Sequence, residues 1–353
     1  MRKRTPTLRD VALHCSVSPM TVSFVLNNKP GEVGAATRDR VLKAASELGY
    51  RPNRTAQALA TGRSRSITLW MKTVFPSYSA QIIHHIREQM AGTDMNLNIW
   101  DMPSFGKTKA ESRDSHVPQW QADGIIAVEA KPWVDYVTAH GSGLTCPIVS
   151  LGSECSHAAD YVELDLAMGT RQAISHLVET GRTRIAYVLP ERADRMGDAR
   201  RDAYCETIRH ASLTEEFIIA PASSPLSGYS TLKDRLSDGH LPDAIFCYND
   251  ELAIGVNRAL REFGIRVPED VALVGCDGID ETEYQHPALS TIVLPLEAMC
   301  QIGWEFLKNR LLNPAAPPQT ATLPTHLLVR ESSSIQQKTS PSQRATTELR
   351  NAQ

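Results

Sequence analysis

From Ser66 onward the chain alternates short apolar runs with longer segments of helical periodicity, and that rhythm constrains the fold more than any other feature. The runs are Ile67 to Met71, Leu97 to Trp100, Gly124 to Val128, Ile148 to Leu151, Ile185 to Leu189, Ala244 to Tyr248 and Val271 to Gly275. Between them lie helical patterns at Ile82 to Met90, Met168 to Glu179 and Glu251 to Phe263. Such alternation predicts an α/β architecture of doubly wound parallel sheets, whose ligands bind at the carboxyl ends of the strands.

The first 66 residues follow a different rule. They hold 12 Lys/Arg against 4 Asp/Glu, net +8, while the remainder holds 25 against 36, net -11. A small basic module on a large acidic one points to a polyanion partner for the N-terminal segment. A solvated basic tail would give the same charge, but residues 7 to 50 read as three short helices. Thr7 followed by Asp10 is a capping-box-like start, and Leu8, Val11 and Ala12 form a small apolar face before Cys15-Ser16-Val17 interrupts it. Ser18 supplies the next N-cap and Pro19 the first helical position, where a missing N–H costs nothing. Val22, Val25 and Leu26 follow at helical spacing until Asn27-Asn28-Lys29-Pro30-Gly31 stops them. Two short helices about four residues apart have the geometry of a helix-turn-helix. A third begins near Thr37 and turns Val41, Ala44, Ala45 and Leu48 inward before Gly49-Tyr50.

The ordered string Thr7 to Ala12, Val17 to Ser23, Val25 to Asn27, Thr37-Arg38, Val41, Leu48 to Tyr50, Pro52-Asn53, Ala56 and Leu59 closely resembles the DNA-binding headpiece of LacI/GalR-family repressors. The resemblance implies a homodimer on a pseudo-palindromic, double-stranded operator. Its DNA-binding residues would be Thr7, Ser18, Pro19, Met20, Thr21, Ser23, Phe24, Asn27, Tyr50, Asn53, Ala56 and Leu59. Asn53 to Thr61 would fold on DNA into a hinge helix, with Leu59 wedged into the minor groove. An apolar wedge unstacks a flexible step, and the bend it causes permits further contacts. Leu59 as the core leucine of a linker helix is the plainer alternative. Pro19, Met20 and Phe24 occupy base-reading positions without a bidentate donor, and Phe24 departs from the family's usual polar residue. It either touches thymine methyls or packs on the headpiece itself.

The second half resembles the same family at Asp165, Ile174 to Ala186, Tyr248-Asn249-Asp250, Ala253 to Gly255, Gly264 to Val271, Gly275 to Asp277, Pro287 to Ile292 and Leu328 to Ser333. This implies a two-lobed, periplasmic-binding-protein-like core at 66–334, entered from a headpiece at 1–52 through a hinge helix and linker at 53–65. The chain would cross between lobes near Glu163, Leu294 and Leu323, and a Ser/Thr/Gln/Pro-rich tail at 335–353 reads as disordered. The residues from about Ser104 to Val117 match nothing in the pattern.

Effector-binding residues carried over from the family are Tyr78, Asp165, Arg200, Asn249 and Asp277. A carboxylate, an amide and a guanidinium at one sheet edge suit a polyhydroxylated ring, so a carbohydrate effector is expected, with a nucleobase or other small metabolite as the alternative. Asp277 could equally cap the turn Gly278-Ile279-Asp280. Ser223 stands where many sugar and purine repressors have an aromatic platform, which leaves a smaller or acyclic effector, or a substitute such as Trp133.

Other classes fit less well. No apolar run approaches the roughly 18 residues that span a bilayer, and no export-signal pattern follows the basic start, so a cytoplasmic protein without membrane contact is expected. The seven cysteines, at 15, 146, 155, 205, 247, 276 and 300, are scattered and contain no C-x-x-C pair, which indicates neither a disulfide framework nor a zinc knuckle. No P-loop, G-x-S-x-G, G-x-G-x-x-G or H-E-x-x-H occurs, and His84-His85, adjacent on a helical pattern, should not face one ligand. Neither catalysis, cofactor nor metal is expected. A solute-binding protein would share the lobes but lack residues 1 to 61.

Overall fold

The computed structural model describes residues 6–27, 33–51, 58, 62–72, 76–102, 122–140, 146–194 and 196–334. The chain divides into two compact units, Met1–Arg65 with Gln121–Asp123, and Ser66–Trp120 with Gly124–Gln353.

The first unit contains α1 (Leu8–Cys15), α2 (Pro19–Leu26) and α3 (Ala35–Glu47). Thr7 and Asp10 form a reciprocal capping box on α1, and Ser16 ends that helix in the left-handed conformation, φ 52°, which turns the chain toward α2. Ser18 accepts from the Thr21 amide at 3.0 Å and Pro19 opens α2. Val11, Ala12, Cys15, Val22, Val25, Val41, Ala44 and Ala45 close a small core. The third helix starts two residues before Thr37, with Gly34 as a cap that offers no side chain.

The second unit contains two six-stranded sheets. One has strands β1 (Ser66–Met71), β2 (Asn96–Asp101), β3 (Gly124–Val128), β4 (Ile148–Gly152), β5 (Asp160–Asp165) and β11 (Thr320–Pro324), in the spatial order β11-β5-β4-β3-β1-β2. All its pairs are parallel. The other has β6 (Ile185–Pro190), β7 (Glu216–Ala220), β8 (Ala244–Cys247), β9 (Ala272–Asp277), β10 (Ser290–Val293) and β12 (His326–Leu328), ordered β12-β10-β9-β8-β6-β7. Only β12 runs antiparallel to its neighbour. The helices are α4 (Pro76–Gln89), α5 (Lys131–His140), α6 (Leu166–Glu179), α7 (Ala199–His210), α8 (Pro225–Ser237), α9 (Asp250–Glu262) and α10 (Leu296–Leu312). The doubly wound fold class expected from the apolar rhythm is therefore present, with strands β1, β3, β6 and β8 buried along their whole length.

Chain order alternates between the sheets three times: after β5, after β10, and between β11 and β12. Strand order reverses between β1 and β3 in one sheet and between β6 and β8 in the other. At such switch points the loops leave in opposite directions and open a crevice at the carboxyl ends of the strands. Among the described residues no helix is long and apolar enough to cross a membrane.

Candidate functional site

Both switch points open on one cleft with about 970 Å³ of atom-free space that continues into solvent. Its polar lining comes mostly from the first residues past strand ends: Lys72 after β1, Glu129 after β3, Ser153 and Glu154 after β4, Arg192 after β6, and Tyr248 with Asn249 after β8. Asp277 is the last residue of β9, paired with Val293 of β10. Tyr78, Trp133 and Arg200 reach in from the helices that follow β1, β3 and β6.

The sheet edge forces unusual backbone on two of these carboxylates. Asp277 has φ 124° and Glu129 φ 49°, conformations that cost a non-glycine residue about 1–3 kcal/mol and persist only where the surroundings fix them. Glu129 is fixed by its own carboxylate, which accepts from the Ser153 amide at 2.8 Å and the Glu154 amide at 2.8 Å. Gly152 makes room for it, since a Cβ there would lie 2.3 Å from Oε1.

Asp277 does not cap the turn that follows it. That task falls to Asp250, the fully buried first residue of α9. Its Oδ2 accepts from the amides of Gly278 at 2.7 Å and Ile279 at 3.0 Å, and its Oδ1 from the Thr291 hydroxyl at 2.6 Å. Among the described residues nothing donates a hydrogen bond to the Asp277 carboxylate, which faces the cleft. Burial, then repulsion from Asp250, pushes Asp277 well above the usual carboxylate range, against the pull of Arg200. Burial likewise raises Glu129, and it lowers Lys72 with the help of Arg192. Groups of both signs are thus driven toward their neutral forms by loss of water.

Arg200 is buried and stacked: its guanidinium carbon lies 3.4 Å from the centre of the Tyr248 ring, and Nη1 donates to the Tyr248 carbonyl at 3.1 Å. Arg192 covers the same ring at 5.3 Å. Among the described residues the Arg200 Nε and the Tyr78 hydroxyl are buried without a hydrogen-bond partner, Nε lying 3.9 Å from an oxygen of Asp198. Asn249 lines the cleft, but its Oδ1 is spent on capping α9 through the Leu252 amide at 3.1 Å, which leaves its amide nitrogen for a ligand.

The structure brings Tyr78, Arg200, Asn249 and Asp277 together and leaves Asp165 out. Asp165 caps α6, accepting from the Met168 amide at 3.0 Å, while its carbonyl accepts from the Thr325 hydroxyl at 2.6 Å, and it does not line the cleft. Ser223 is buried outside the lining and takes a long, 3.5 Å contact from Arg192. Trp133 does line the cleft, buried against Trp100 at 5.2 Å. Lys72, Glu129, Glu154, Arg192 and Tyr248 were missed from the sequence, although Lys72 and Glu129 follow directly on apolar strand runs, the others stand at or within three residues of a run's end, and the carboxyl-end rule points at them. The His84 and His85 expectation also fails. His84 Nε2 and His85 Nδ1 lie 3.4 and 3.5 Å from the two oxygens of Glu88, because one carboxylate at i+4 and i+3 can bridge neighbouring rings.

In the first unit, the helix-turn-helix exposes Thr7, Ser18, Pro19 and Met20, the last 66% exposed despite its apolar side chain. Thr21, Ser23, Phe24, Asn27 and Tyr50 are half-buried, and Asn27 donates to the Ser23 hydroxyl at 3.1 Å. Asn53, Ala56 and Leu59 lie outside the described residues, as do Ser104 to Val117 and the tail from 335.

A helix-turn-helix module and two facing parallel sheets that share one polar cleft define a ligand-responsive DNA-binding regulator. Residues 7–53 match the family of bacterial regulatory proteins of the lacI type, and residues 174–333 match the periplasmic binding protein-like domain. The repressor MelR of Bacillus subtilis is 30% identical over 342 residues, covering 92% of this chain and 96% of that protein. The repressor PurR of Klebsiella pneumoniae is 29% identical over 335 residues, with the same coverage. Among solved structures, the lac repressor dimer bound to operator and the anti-inducer ONPF superposes with TM-score 0.77 at 24% identity, covering 94% of this chain and all of that one. A CelR–cellobiose complex superposes with TM-score 0.62 at 27% identity, covering 93% and 99%. The chain belongs to the LacI family of transcriptional repressors; it is an effector-binding DNA-binding protein and not an enzyme.

Proposed function

We propose that this repressor binds a pseudo-palindromic operator as a homodimer and is controlled by a small carbohydrate in the cleft. In this reading residues 1–52 contact DNA, 53–65 connect, and 66–334 bind the effector and dimerise. The headpiece contacts proposed are Thr7, Ser18, Pro19, Met20, Thr21, Ser23, Phe24, Asn27 and Tyr50, with Asn53, Ala56 and Leu59 beyond them. The net +8 of the first 66 residues supports the DNA half, because each phosphate neutralised releases counterions.

One observation carries the effector half: Asp277, whose carboxyl group is left without a hydrogen bond among the described residues because Asp250 takes the turn amides, faces the same cleft as Arg200, whose Nε makes no hydrogen bond there. A polyol supplies hydroxyls to both, the Asn249 amide and the Tyr78 hydroxyl add polar contacts, and Trp133 offers an apolar face to a ring. The cellobiose complex of a relative with the same fold points the same way.

A thermal-shift screen of the full chain over mono- and disaccharides and nucleobases tests this, since a ligand at about 100 times its Kd stabilises by roughly 2.7 kcal/mol. A sugar should shift the melt, change operator binding in fluorescence anisotropy, and lose about tenfold or more affinity in Asp277→Ala and in Arg200→Ala. A shift by a nucleobase with none by any sugar overturns the carbohydrate reading. Operator binding that survives removal of residues 1–61 overturns the DNA assignment.

A further inference from the structure

The segment between β4 and β5 carries a second cluster of chemistry that the effector reading does not use. Cys155, His157 and Glu163 each offer one donor atom, and the three atoms lie within 4.8 Å of one another. His157 Nε2 is 3.6 Å from Glu163 Oε1. Ligand atoms on a tetrahedral zinc ion, at 2.0–2.3 Å from the metal, stand roughly 3.3–3.6 Å apart, so small side-chain rotations close this set around one ion.

The frame that carries the donors is fixed independently of any ion. Ser156, between Cys155 and His157, has its amide bonded to the Ser150 hydroxyl at 2.8 Å, and its own hydroxyl donates to Asp135. The carboxylate of Glu129 anchors the start of the segment at Ser153 and Glu154. The His157 ring is stacked on Tyr161 at 4.3 Å, 23° from parallel, which sets its plane. Cys155 is buried, whereas His157 and Glu163 are partly exposed, so a hydrated ion can arrive from solvent and meet the thiol last.

We propose that Cys155, His157 and Glu163 form a binding site for a thiophilic divalent cation, zinc by preference, beside the effector cleft. Sulfur, imidazole and carboxylate in one set suit zinc rather than calcium or magnesium. Binding releases one proton: the Cys155 S–H bond breaks, its electron pair becomes the S–Zn bond, and the proton passes to solvent. Thiolate and carboxylate then balance the two charges of the ion, and neutral His157 completes three protein ligands. Gly197 and Asp198 of the other lobe line the same hollow, from which water would supply any further ligand.

Cobalt titration of the purified, reduced full chain tests the site, with zinc back-titration against a chromophoric chelator. One equivalent of Co2+ should give a thiolate-to-cobalt band in the near ultraviolet and strong visible bands of a tetrahedral site, displaced by one equivalent of zinc. Cys155→Ser should abolish the ultraviolet band, and His157→Ala and Glu163→Gln should each weaken zinc by more than the roughly 10- to 100-fold typical of losing an outer-shell partner. Melting curves confirm that each variant is folded. A double variant of the other cluster, His84→Ala with Glu88→Gln, should keep the band. No thiolate band at one equivalent, or a band that persists in folded Cys155→Ser, overturns the proposal.

Discussion

Replacing Asp250 with alanine should destabilise the core by about 2–4 kcal/mol and loosen the turn that aims Asp277. The magnitude follows from what each donor finds once the carboxylate is gone. The Gly278 amide can still reach the Thr291 hydroxyl, at 3.2 Å. Among the described residues the Ile279 amide has no second acceptor, and the Thr291 hydroxyl keeps only a marginal 3.5 Å contact to the Ile292 carbonyl. One buried amide is orphaned at about 1–3 kcal/mol and one hydroxyl is partly so, while relief of a buried charge offsets a fraction. Asp250→Asn is the control. Its amide oxygen can accept from both backbone amides and its nitrogen can donate to Thr291, so its loss should stay near 1 kcal/mol. Denaturant melts give the energies, and hydrogen exchange over residues 277–283 gives the location, with faster exchange in the alanine variant only. If the alanine variant melts within about 0.5 kcal/mol of wild type, or exchanges no faster than the asparagine variant, Asp250 does not hold the turn.

Two further tests address packing and protonation. Gly255 faces α8 so closely that a Cβ would lie 1.9 Å from the Pro225 carbonyl oxygen, so Gly255→Ala must push α8 from α9 and should lower stability by about 1–3 kcal/mol or more. A melt unchanged from wild type would refute that contact. Glu251 is raised to about 7 by burial and by Glu281, so the folded chain holds its proton more tightly than the unfolded chain does. Its ionisation therefore removes stability as pH rises from the ordinary 4.5 to about 7, with no further loss above. The melting temperature of Glu251→Gln should gain on wild type across that interval and run parallel to it above; a constant difference from pH 4 to 8 would contradict the shift.

Local chemistry made the headpiece legible from the sequence. Thr7 with Asp10, Ser18 with Pro19 and the stop at Asn27 act within one helical turn, so the chain alone sets these helix ends. The central strands were legible for a related reason, because a strand covered on both faces must be largely apolar, as Ile67 to Met71, Thr68 apart, and Ile185 to Leu189 are. Strands β7, β11 and β12 were not: β11, at a sheet edge, alternates between exposed and half-buried positions, and β12 is only three residues long. Strands β5 and β10 were hidden too, β5 by its own alternation Asp160-Tyr161-Val162-Glu163-Leu164-Asp165.

At the cleft, Asp165 and Asp277 look alike in sequence, an aspartate at a strand end before a helix or turn. Asp165 is consumed by the Met168 amide, whereas Asp277 is spared because Asp250, 27 positions earlier in the chain, has already taken the amides of Gly278 and Ile279. The sequence determines which residues end strands, but a carboxylate is available to a ligand only if no nearer donor has claimed it, and that competition is decided by groups that tertiary packing brings within 3 Å.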